Sequence, residues 1–367
     1  MDAKLSPDQG LNISGIGLVS VLGVGLSVAA LVLDGMANRL PWANTSSLTL
    51  PFLLCAVISA AVGFFVVPML QALKTGQIIR EDGPQAHLKK AGTPTMGGIF
   101  FVPVGVIAAC ILSNFNTNVL AVSGLTLGYG LIGWLDDWQI LRRKSNKGIS
   151  PRMKLFLQIG FAVLFCLWLL FNQPANITNL ALPLGFSLPL GLLFWPLAGF
   201  VLVAESNATN LTDGIDGLAA GTVAIALLAL GALIASTSPE LMIFCAALSG
   251  SCLGFLAHNR NPARVFMGDT GSLALGGALA AVGLLTNSLV TLFILSGIFF
   301  VETLSVMAQV SYYKATKGPD GKGKRLLKMA PLHHHLELSG WSELQVVAVF
   351  YIISAILAVI CLAISKF

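Results

Sequence analysis

The sequence predicts an all-α, polytopic membrane protein, and three observations carry that prediction. Of the 367 residues, 56% are hydrophobic and only 10% are charged, whereas a soluble domain carries about 25% charged residues. Apolar segments of about 20 residues recur along the chain, which is the length that a helix needs to cross a bilayer. These segments lack the period-two alternation that is typical of membrane β-barrels.

Eleven apolar segments are present, and each is predicted to form a membrane-spanning helix. They lie near residues 13–33, 50–70, 97–113, 119–136, 153–171, 188–204, 217–237, 240–257, 271–286, 290–312 and 344–365. Gly and Pro occur within several of them, as membrane helices tolerate. All six cysteines fall inside these segments, which favours small buried hydrophobes over disulfides or a metal site.

The basic residues lie almost entirely in alternate loops. Loops 71–96, 137–154, 258–270 and 313–343 contain 18 of the 21 Lys and Arg residues. Because cytoplasmic loops carry such an excess, this face is predicted to be cytoplasmic, with the N-terminus inside and the C-terminus outside. Most acidic residues lie on the same face, so we predict a polar site there.

A polar stretch over residues 207–217 interrupts two apolar segments. It contains Asn207, Asp213 and Asp216, and the two acids share one face if the stretch is helical. The alternative is that Thr212 and Asp213 merely cap the next helix. Capping does not account for Asn207, Asn210 or the second acid, so this stretch is predicted to bind a ligand.

Two adjacent acids, Asp136 and Asp137, end another apolar segment between Trp134 and Trp138. Adjacent helical residues point about 100° apart, so the two carboxylates should address different neighbours. A helix end in the membrane interface with belt tryptophans is the alternative. Ionisable residues at membrane depth point to function, so a role in the site is favoured.

The stretch from Phe266 to Ser272 precedes a further helix and contains Asp269. A glycine-rich helix N-terminus offers free N–H groups to phosphate. Magnesium prefers one or two carboxylates together with substrate phosphates. The stretch therefore predicts a Mg²⁺ site at Asp269, unless Asp269 or Ser272 only caps the helix.

Three consecutive histidines, His333, His334 and His335, follow a proline. Their spacing does not match a zinc site. Imidazoles can donate to phosphate oxygens or to a leaving group, whereas the alternative is an incidental polar loop.

The stretch 89–98 combines Lys90 and Thr95 with glycines before a helix. Such a stretch suits an anionic ligand. Binding of anionic membrane lipid explains this loop equally well.

These groups together indicate metal-assisted phosphoryl transfer, in which cations neutralise the transferring oxygens and a carboxylate orients or deprotonates the nucleophile. The chain resembles the polyprenyl-phosphate N-acetylhexosamine-1-phosphate transferases from about Thr49 to its C-terminus. The motifs that carry the resemblance are Gly92–Gly98, Asp136-Asp137, Asn210–Leu218, Val265–Gly276 and Pro331–Glu337.

The resemblance implies a ten-helix core in the bacterial plasma membrane. Residues 49–367 are then the transferase domain, and residues 1–48 form an extension with an extra transmembrane helix. The histidine triplet favours members that transfer phospho-MurNAc-pentapeptide from UDP-MurNAc-pentapeptide to undecaprenyl phosphate, giving lipid I and UMP with Mg²⁺ as the cofactor. Membrane lipid is an expected partner, the resemblance is compatible with a homodimer, and no nucleic acid is expected.

The resemblance also implies a role for each matching residue. Asp269 matches the magnesium ligand, and Asp136 and Asp137 match the pair that positions or deprotonates the lipid phosphate. His333 is expected in the catalytic group. The residues expected to bind substrate are Lys90, Thr95, Asn207, Asp213, Asp216, Asn259, Phe266, His334 and His335.

One position departs from the family pattern. A lysine often follows the second Asp by three residues, but Ile140 stands there. Arg142, Arg143 or Lys144 could supply the charge instead, so that role stays unassigned.

Two other functions fit parts of the sequence. A transferase of GlcNAc-1-phosphate on the same fold differs only in its UDP-sugar. An ion-coupled transporter would place its carboxylates near mid-span, but Glu302 is the only acid well inside an apolar segment.

Overall fold

The computed structural model describes residues 14–42, 47–73, 90, 92–143, 148–182 and 185–364. The predicted residues 1–13, Lys89 and Lys144 lie outside the described residues. Thirteen α-helices, two short 3-10 helices at Ala175–Thr178 and Gly191–Leu193, and one short hairpin form the described chain. The helices are α1 Gly15–Met36, α2 Thr49–Ala72, α3 Gly98–Leu112, α4 Thr117–Arg143, α5 Pro151–Asn172, α6 Phe194–Thr212, α7 Leu218–Ile234, α8 Pro239–Asn259, α9 Gly268–Leu285, α10 Leu289–Leu295, α11 Gly297–Ala315, α12 Leu332–Leu338 and α13 Glu343–Ile364.

The all-α, polytopic class is confirmed. Eight helical segments in the described chain are long and apolar enough to cross a membrane, and α10 with α11 would make a ninth. The shorter apolar helices α3 and α7 match the remaining two predicted segments. The hairpin, β1 Asn179–Ala181 paired antiparallel with β2 Ser187–Pro189, was not predicted.

The predicted segment 290–312 is not one straight helix. It breaks at Ser296, and α10 and α11 meet at an angle of 71°. Ser-Gly pairs are common positions of helix kinks, and Gly297 follows Ser296 directly. The Ser296 hydroxyl donates to the carboxyl group of Glu205 at 2.5 Å, which fixes the kink against α6.

The core is built around α8 and α9. In the most apolar stretch of each helix, 89% of the residues of α8 and 83% of those of α9 are buried inside the protein, compared with 17% of those of α1. Small residues allow this close packing: a Cβ atom at Gly250 of α8 would lie 2.0 Å from the Phe52 carbonyl oxygen of α2. At the N-terminal end of α9, a Cβ atom at Gly98 of α3 would lie 2.3 Å from the Gly271 nitrogen. Helix α2 is thereby packed closely on α8, and α3 on the N-terminal end of α9.

Helix α1 forms as predicted and is joined to α2 by a buried carboxylate. Asp34 accepts hydrogen bonds from the N–H groups of Leu48 and Thr49, each at 3.0 Å, and from the Thr49 hydroxyl at 2.7 Å. These are the free donors of the α2 N-terminus. The boundary at residue 48 and the topology of α1 stay predictions.

Candidate functional site

The N-terminus of α9 is held by Asp137 of α4. The Asp137 carboxylate accepts the Thr270 N–H at 3.1 Å and the Thr270 hydroxyl at 2.7 Å, and the Asp269 N–H lies at 3.4 Å. Neither Asp269 nor Ser272 caps the helix, because the N-cap residue is Met267, which makes no side-chain cap hydrogen bond, and the Ser272 hydroxyl donates to the Gly268 carbonyl. A carboxylate from another helix thus satisfies the free donors of this helix end.

Asp269 lies in the first turn of α9 and meets two donors. Lys154 of α5 forms an ion pair with it, and Asn210 of α6 donates to Oδ1 at 2.7 Å. The side chain retains 23% of its exposure. Asp269 is therefore oriented by protein groups while one part of its carboxylate stays accessible.

Asp136 and Asp137 contact different neighbours, as predicted. Asp136 accepts the Ile149 N–H at 2.9 Å, and its carboxyl group lies within hydrogen-bonding reach of Asp269. Trp134 and Trp138 stack at 5.9 Å on the exposed side of α4. The tryptophans therefore face outward, as belt residues would, while the acids face the protein interior.

Asp213, in the turn after α6, lies close to the carboxylates of Asp137 and Asp269. Together with Asp136, which contacts Asp269, these residues form the acidic cluster. The Asp213 carboxylate accepts the Gly268 N–H. Burial, reinforced by the charges of Asp269, Asp137 and Asp216, raises the pKa of Asp213 to about 8. A buried carboxyl group among like charges resists ionisation, so this cluster favours a proton or a bound cation.

The pKa of Asp213 gives a testable pH dependence. The folded pKa of about 8 exceeds the ordinary value of 3.8, so the stabilisation by the neutral form is lost as pH rises through that interval. Without Mg²⁺, we expect Asp213→Asn to gain melting temperature over the wild type as pH rises from 5 to about 8. A constant difference between the two proteins across that interval would contradict this prediction.

Asp216 points away from Asp213. The chain between α6 and α7 is a turn rather than a helix, with Gly217 at a φ of 82°, so the two acids do not share a face. Asp216 pairs with Lys90 at 2.7 Å, and Lys90 also pairs with Glu343 at 2.6 Å. The structure thus brings Lys90 and Asp216 together, which their positions in the sequence do not indicate.

Thr212 does not cap α7, because its hydroxyl donates to the Ala208 carbonyl within α6.

Two predicted residues hold the loop that follows α8. Asn259 donates to the Val265 carbonyl at 2.9 Å and accepts the Gly217 N–H at 3.0 Å. Phe266 is half-buried, and its backbone N–H donates to the Pro94 carbonyl at 2.8 Å. The loop therefore lies against both the turn after α6 and the stretch that contains the buried Thr95.

Asn207 does not contact the acidic cluster through a hydrogen bond in the described chain. Its amide donates to Gln158 at 3.0 Å and to the Val203 carbonyl at 2.8 Å. The asparagine that meets Asp269 is Asn210, one turn later. A direct ligand role thus fits Asn210 better than Asn207.

The histidines belong to the short helix α12. His333 is fully buried, and a Cβ atom at Gly214 would lie 2.1 Å from its Nε2 atom. The imidazole therefore packs on the turn that carries Asp213. His334 Nδ1 lies 2.9 Å from Glu337, and His335 Nδ1 accepts the Lys328 N–H at 3.1 Å.

Glu302 holds this helix in place from inside α11. Its carboxylate accepts the N–H groups of Leu332 at 2.7 Å and His333 at 3.2 Å, and Oε2 lies 3.3 Å from His333 Nδ1. The buried acid of α11 is thus explained by the free donors of α12. It is a positioning residue for His333 rather than a mid-span ion site.

Replacing Glu302 with glutamine should reduce activity. The amide retains one acceptor oxygen for two backbone donors, so one buried N–H loses its partner. We expect the rate of phosphoryl transfer to fall by about tenfold and the melting temperature of the protein to fall as well. Thr303→Ala is the control, because that hydroxyl donates only within α11, to Phe299. Full activity of Glu302→Gln would contradict the positioning role.

The sequence interpretation missed four residues that the structure places at the site: Lys154, Asn210, Glu302 and Glu343. Lys154 of α5 brings a positive charge to Asp269. Arg143, in contrast, donates to the Gly148 carbonyl. Two of them carried a signal: Glu302 is an isolated acid in an apolar segment, and Asn210 begins the family motif Asn210–Leu218.

The donor set fits a magnesium ion. Among the described residues, no group of three or more His, Cys, Asp or Glu side chains is arranged to hold a metal by itself. Magnesium needs only one or two carboxylates when phosphates supply further ligands. Asp136 and Asp269 offer hard oxygen atoms close together, and Lys154 offsets only part of the negative charge.

Comparison with known proteins places the chain in a family. Residues 119–287 match the model "Glycosyl transferase family 4", and residues 90–102 match signature 1 of phospho-N-acetylmuramoyl-pentapeptide-transferase. A Nostoc protein named phospho-N-acetylmuramoyl-pentapeptide-transferase is 85% identical over 100% of this chain and 99% of its own length. The chain belongs to the phospho-N-acetylmuramoyl-pentapeptide-transferase family.

More distant proteins of the same name are also similar over most of their length. The Gloeothece citriformis transferase is 65% identical over 95% of this chain and 97% of its own length. The Synechocystis transferase is 60% identical over 92% of each chain. The transferase signature includes Lys90 and Thr95, and the family 4 model includes all four carboxylates of the acidic cluster.

Proposed function

We propose that this protein transfers phospho-MurNAc-pentapeptide from UDP-MurNAc-pentapeptide to undecaprenyl phosphate, giving lipid I and UMP. The relatives' name supports the transferred group. The single observation that carries the proposal is the meeting of Asp136, Asp137, Asp213 and Asp269 around the N-terminus of α9. Such a cluster suits chemistry in which negative charge is neutralised and oriented.

In the proposed reaction, an oxygen of the lipid phosphate attacks the phosphorus that bears the sugar. A new P–O bond forms there, the P–O bond to UMP breaks, and UMP leaves with the electron pair. Asp136 is suited to receive a proton from the lipid phosphate, because its partner Asp137 is occupied by the donors of Thr270. We favour this direct attack over a covalent enzyme intermediate.

The other residues bind and orient. Lys154 and Asn210 hold Asp269, which is the proposed ligand of Mg²⁺ with Asp136 beside it. The bound ion would neutralise charge on the pyrophosphate oxygens. We assign His333, His334 and His335 to the phosphates. The residues assigned to the nucleotide side are Lys90, Thr95, Asp216, Asn259 and Phe266.

The face of the membrane and the partners are parts of the same proposal. The excess of Lys and Arg in alternate loops supports a position of the acidic cluster on the cytoplasmic face of the plasma membrane, where a UDP-linked substrate is available. Undecaprenyl phosphate would reach the site from the bilayer. A homodimer is proposed only on the resemblance.

The test is Mg²⁺-dependent release of UMP by purified protein with undecaprenyl phosphate. We expect UMP and lipid I from UDP-MurNAc-pentapeptide, and no competition by excess UDP-GlcNAc. Turnover of UDP-GlcNAc in its place would favour the GlcNAc-1-phosphate transferase. A phosphorylated enzyme trapped in single turnover without lipid would contradict direct attack.

A further inference from the structure

Glu343 connects three segments that are distant in sequence. It is the first residue of α13, and its Oε1 atom accepts from the Lys90 ammonium at 2.6 Å and from the Asp216 N–H at 2.7 Å. Its Oε2 atom accepts from the Asn261 amide at 2.9 Å. Both carboxylate oxygens are therefore used, and none of these donors belongs to α13.

Asp216 completes the same network. Its side chain is almost fully buried, and it accepts from Lys90 at 2.7 Å, from Asn261 at 3.3 Å and from the Ala263 N–H at 2.9 Å. Two carboxylates thus share one ammonium and one amide. Their mutual repulsion is offset only while all of these donors stay in place.

We infer that Glu343 is a positioning residue for the nucleotide side of the site. It fixes the ammonium of Lys90, the turn that carries Asp216 and the loop that leads to Phe266. This inference rests on the proposed function, which assigns those three residues to the nucleotide. An acid in the first turn also favours its own helix, but that effect requires no contact with Lys90.

Glutamine cannot reproduce the network. One of its two terminal atoms is an NH₂ group, which would face either the Asn261 amide or the donors Lys90 and Asp216 N–H. Aspartate retains both acceptor oxygens but is one methylene shorter. Glu343→Gln therefore tests the acceptor pattern, and Glu343→Asp tests the reach.

The experiment measures kcat and KM for UDP-MurNAc-pentapeptide and for undecaprenyl phosphate, together with direct binding of UMP. For Glu343→Gln, we expect KM for the nucleotide substrate and Kd for UMP to rise by about tenfold. Both kcat and the KM for undecaprenyl phosphate should stay within about twofold of the wild-type values, because the substitution weakens binding of the nucleotide substrate equally in the ground state and the transition state. Glu343→Asp should recover part of the UMP affinity.

Glu240→Gln is the matched control, because Glu240 is also a glutamate in the first turn of a long apolar helix, α8. Both variants should lose similar helix stability, but only Glu343→Gln should lose UMP affinity. Equal loss in both variants, a fall in kcat alone, or unchanged UMP binding in Glu343→Gln would overturn the inference. Absence of both turnover and UMP binding in the wild type would instead contradict the proposed function.

Discussion

Asp269→Asn is expected to reduce UMP release by about 1,000-fold. The substitution removes the carboxylate that Lys154 and Asn210 orient, and it leaves the Lys154 ammonium without its anionic partner. The remaining amide is a weaker ligand for a hard divalent cation. The measurement is the initial rate of UMP release as a function of Mg²⁺ concentration.

The control for that experiment is Asp320→Asn, which makes the same chemical change in an exposed loop where Asp320 accepts the Lys322 N–H. Its rate and Mg²⁺ dependence should match the wild type. If Asp269→Asn also kept the wild-type rate and Mg²⁺ dependence, the assignment of Asp269 as the metal ligand would be wrong. Binding of UMP to each variant verifies that the nucleotide side is folded.

Gly268→Ala is expected to abolish activity and lower the melting temperature. Gly268 has a φ of 71°, and an alanine Cβ atom would lie 2.5 Å from Asp137 Oδ2 and 2.7 Å from Thr95 Oγ1. The methyl group would therefore displace the carboxylate that holds the N-terminus of α9. Backbone strain adds about 1–2 kcal/mol for a non-glycine residue in this region.

Gly340→Ala separates the effect of the contact with Asp137 from the effect of backbone strain. Gly340 has a φ of 102°, but no atom lies within 4 Å of its expected Cβ position. This variant should show the strain alone, with a small loss of melting temperature and nearly full UMP release. Equal activity of the Gly268 and Gly340 variants would show that the contact of Gly268 with Asp137 is unimportant.

The sequence predicted the helices well because apolar length and charge are local properties. All eleven apolar segments correspond to helices in the structure, but 290–312 is bent at Ser296, and the first two residues of 188–204 belong to β2 rather than to α6. At the kink, the Ser296 hydroxyl donates a hydrogen bond to Glu205, which lies 91 residues away in the chain. No local pattern contains that partner.

The candidate site was predicted in part. Asp136, Asp137, Asp213 and Asp269 meet around one helix end, but Asp216 belongs to a separate network with Lys90 and Glu343. The helical spacing of Asp213 and Asp216 suggested a common face, and the turn at Gly217 separates them. Family resemblance identified these residues, whereas it could not say which of them contact one another.

The sequence by itself determined that this chain is a helical membrane protein whose carboxylates, histidines and lysines collect at the ends of its helices. Apolar length and residue type suffice for that, because the bilayer imposes them on each segment separately. Only the tertiary structure decided that Asp137 holds the N-terminus of α9, that Lys154 pairs with Asp269 and that Glu302 supports His333. These contacts join separate helices, and their geometry follows from close packing at glycines such as Gly98 and Gly133, where a single methyl group would separate the helices and disperse the site.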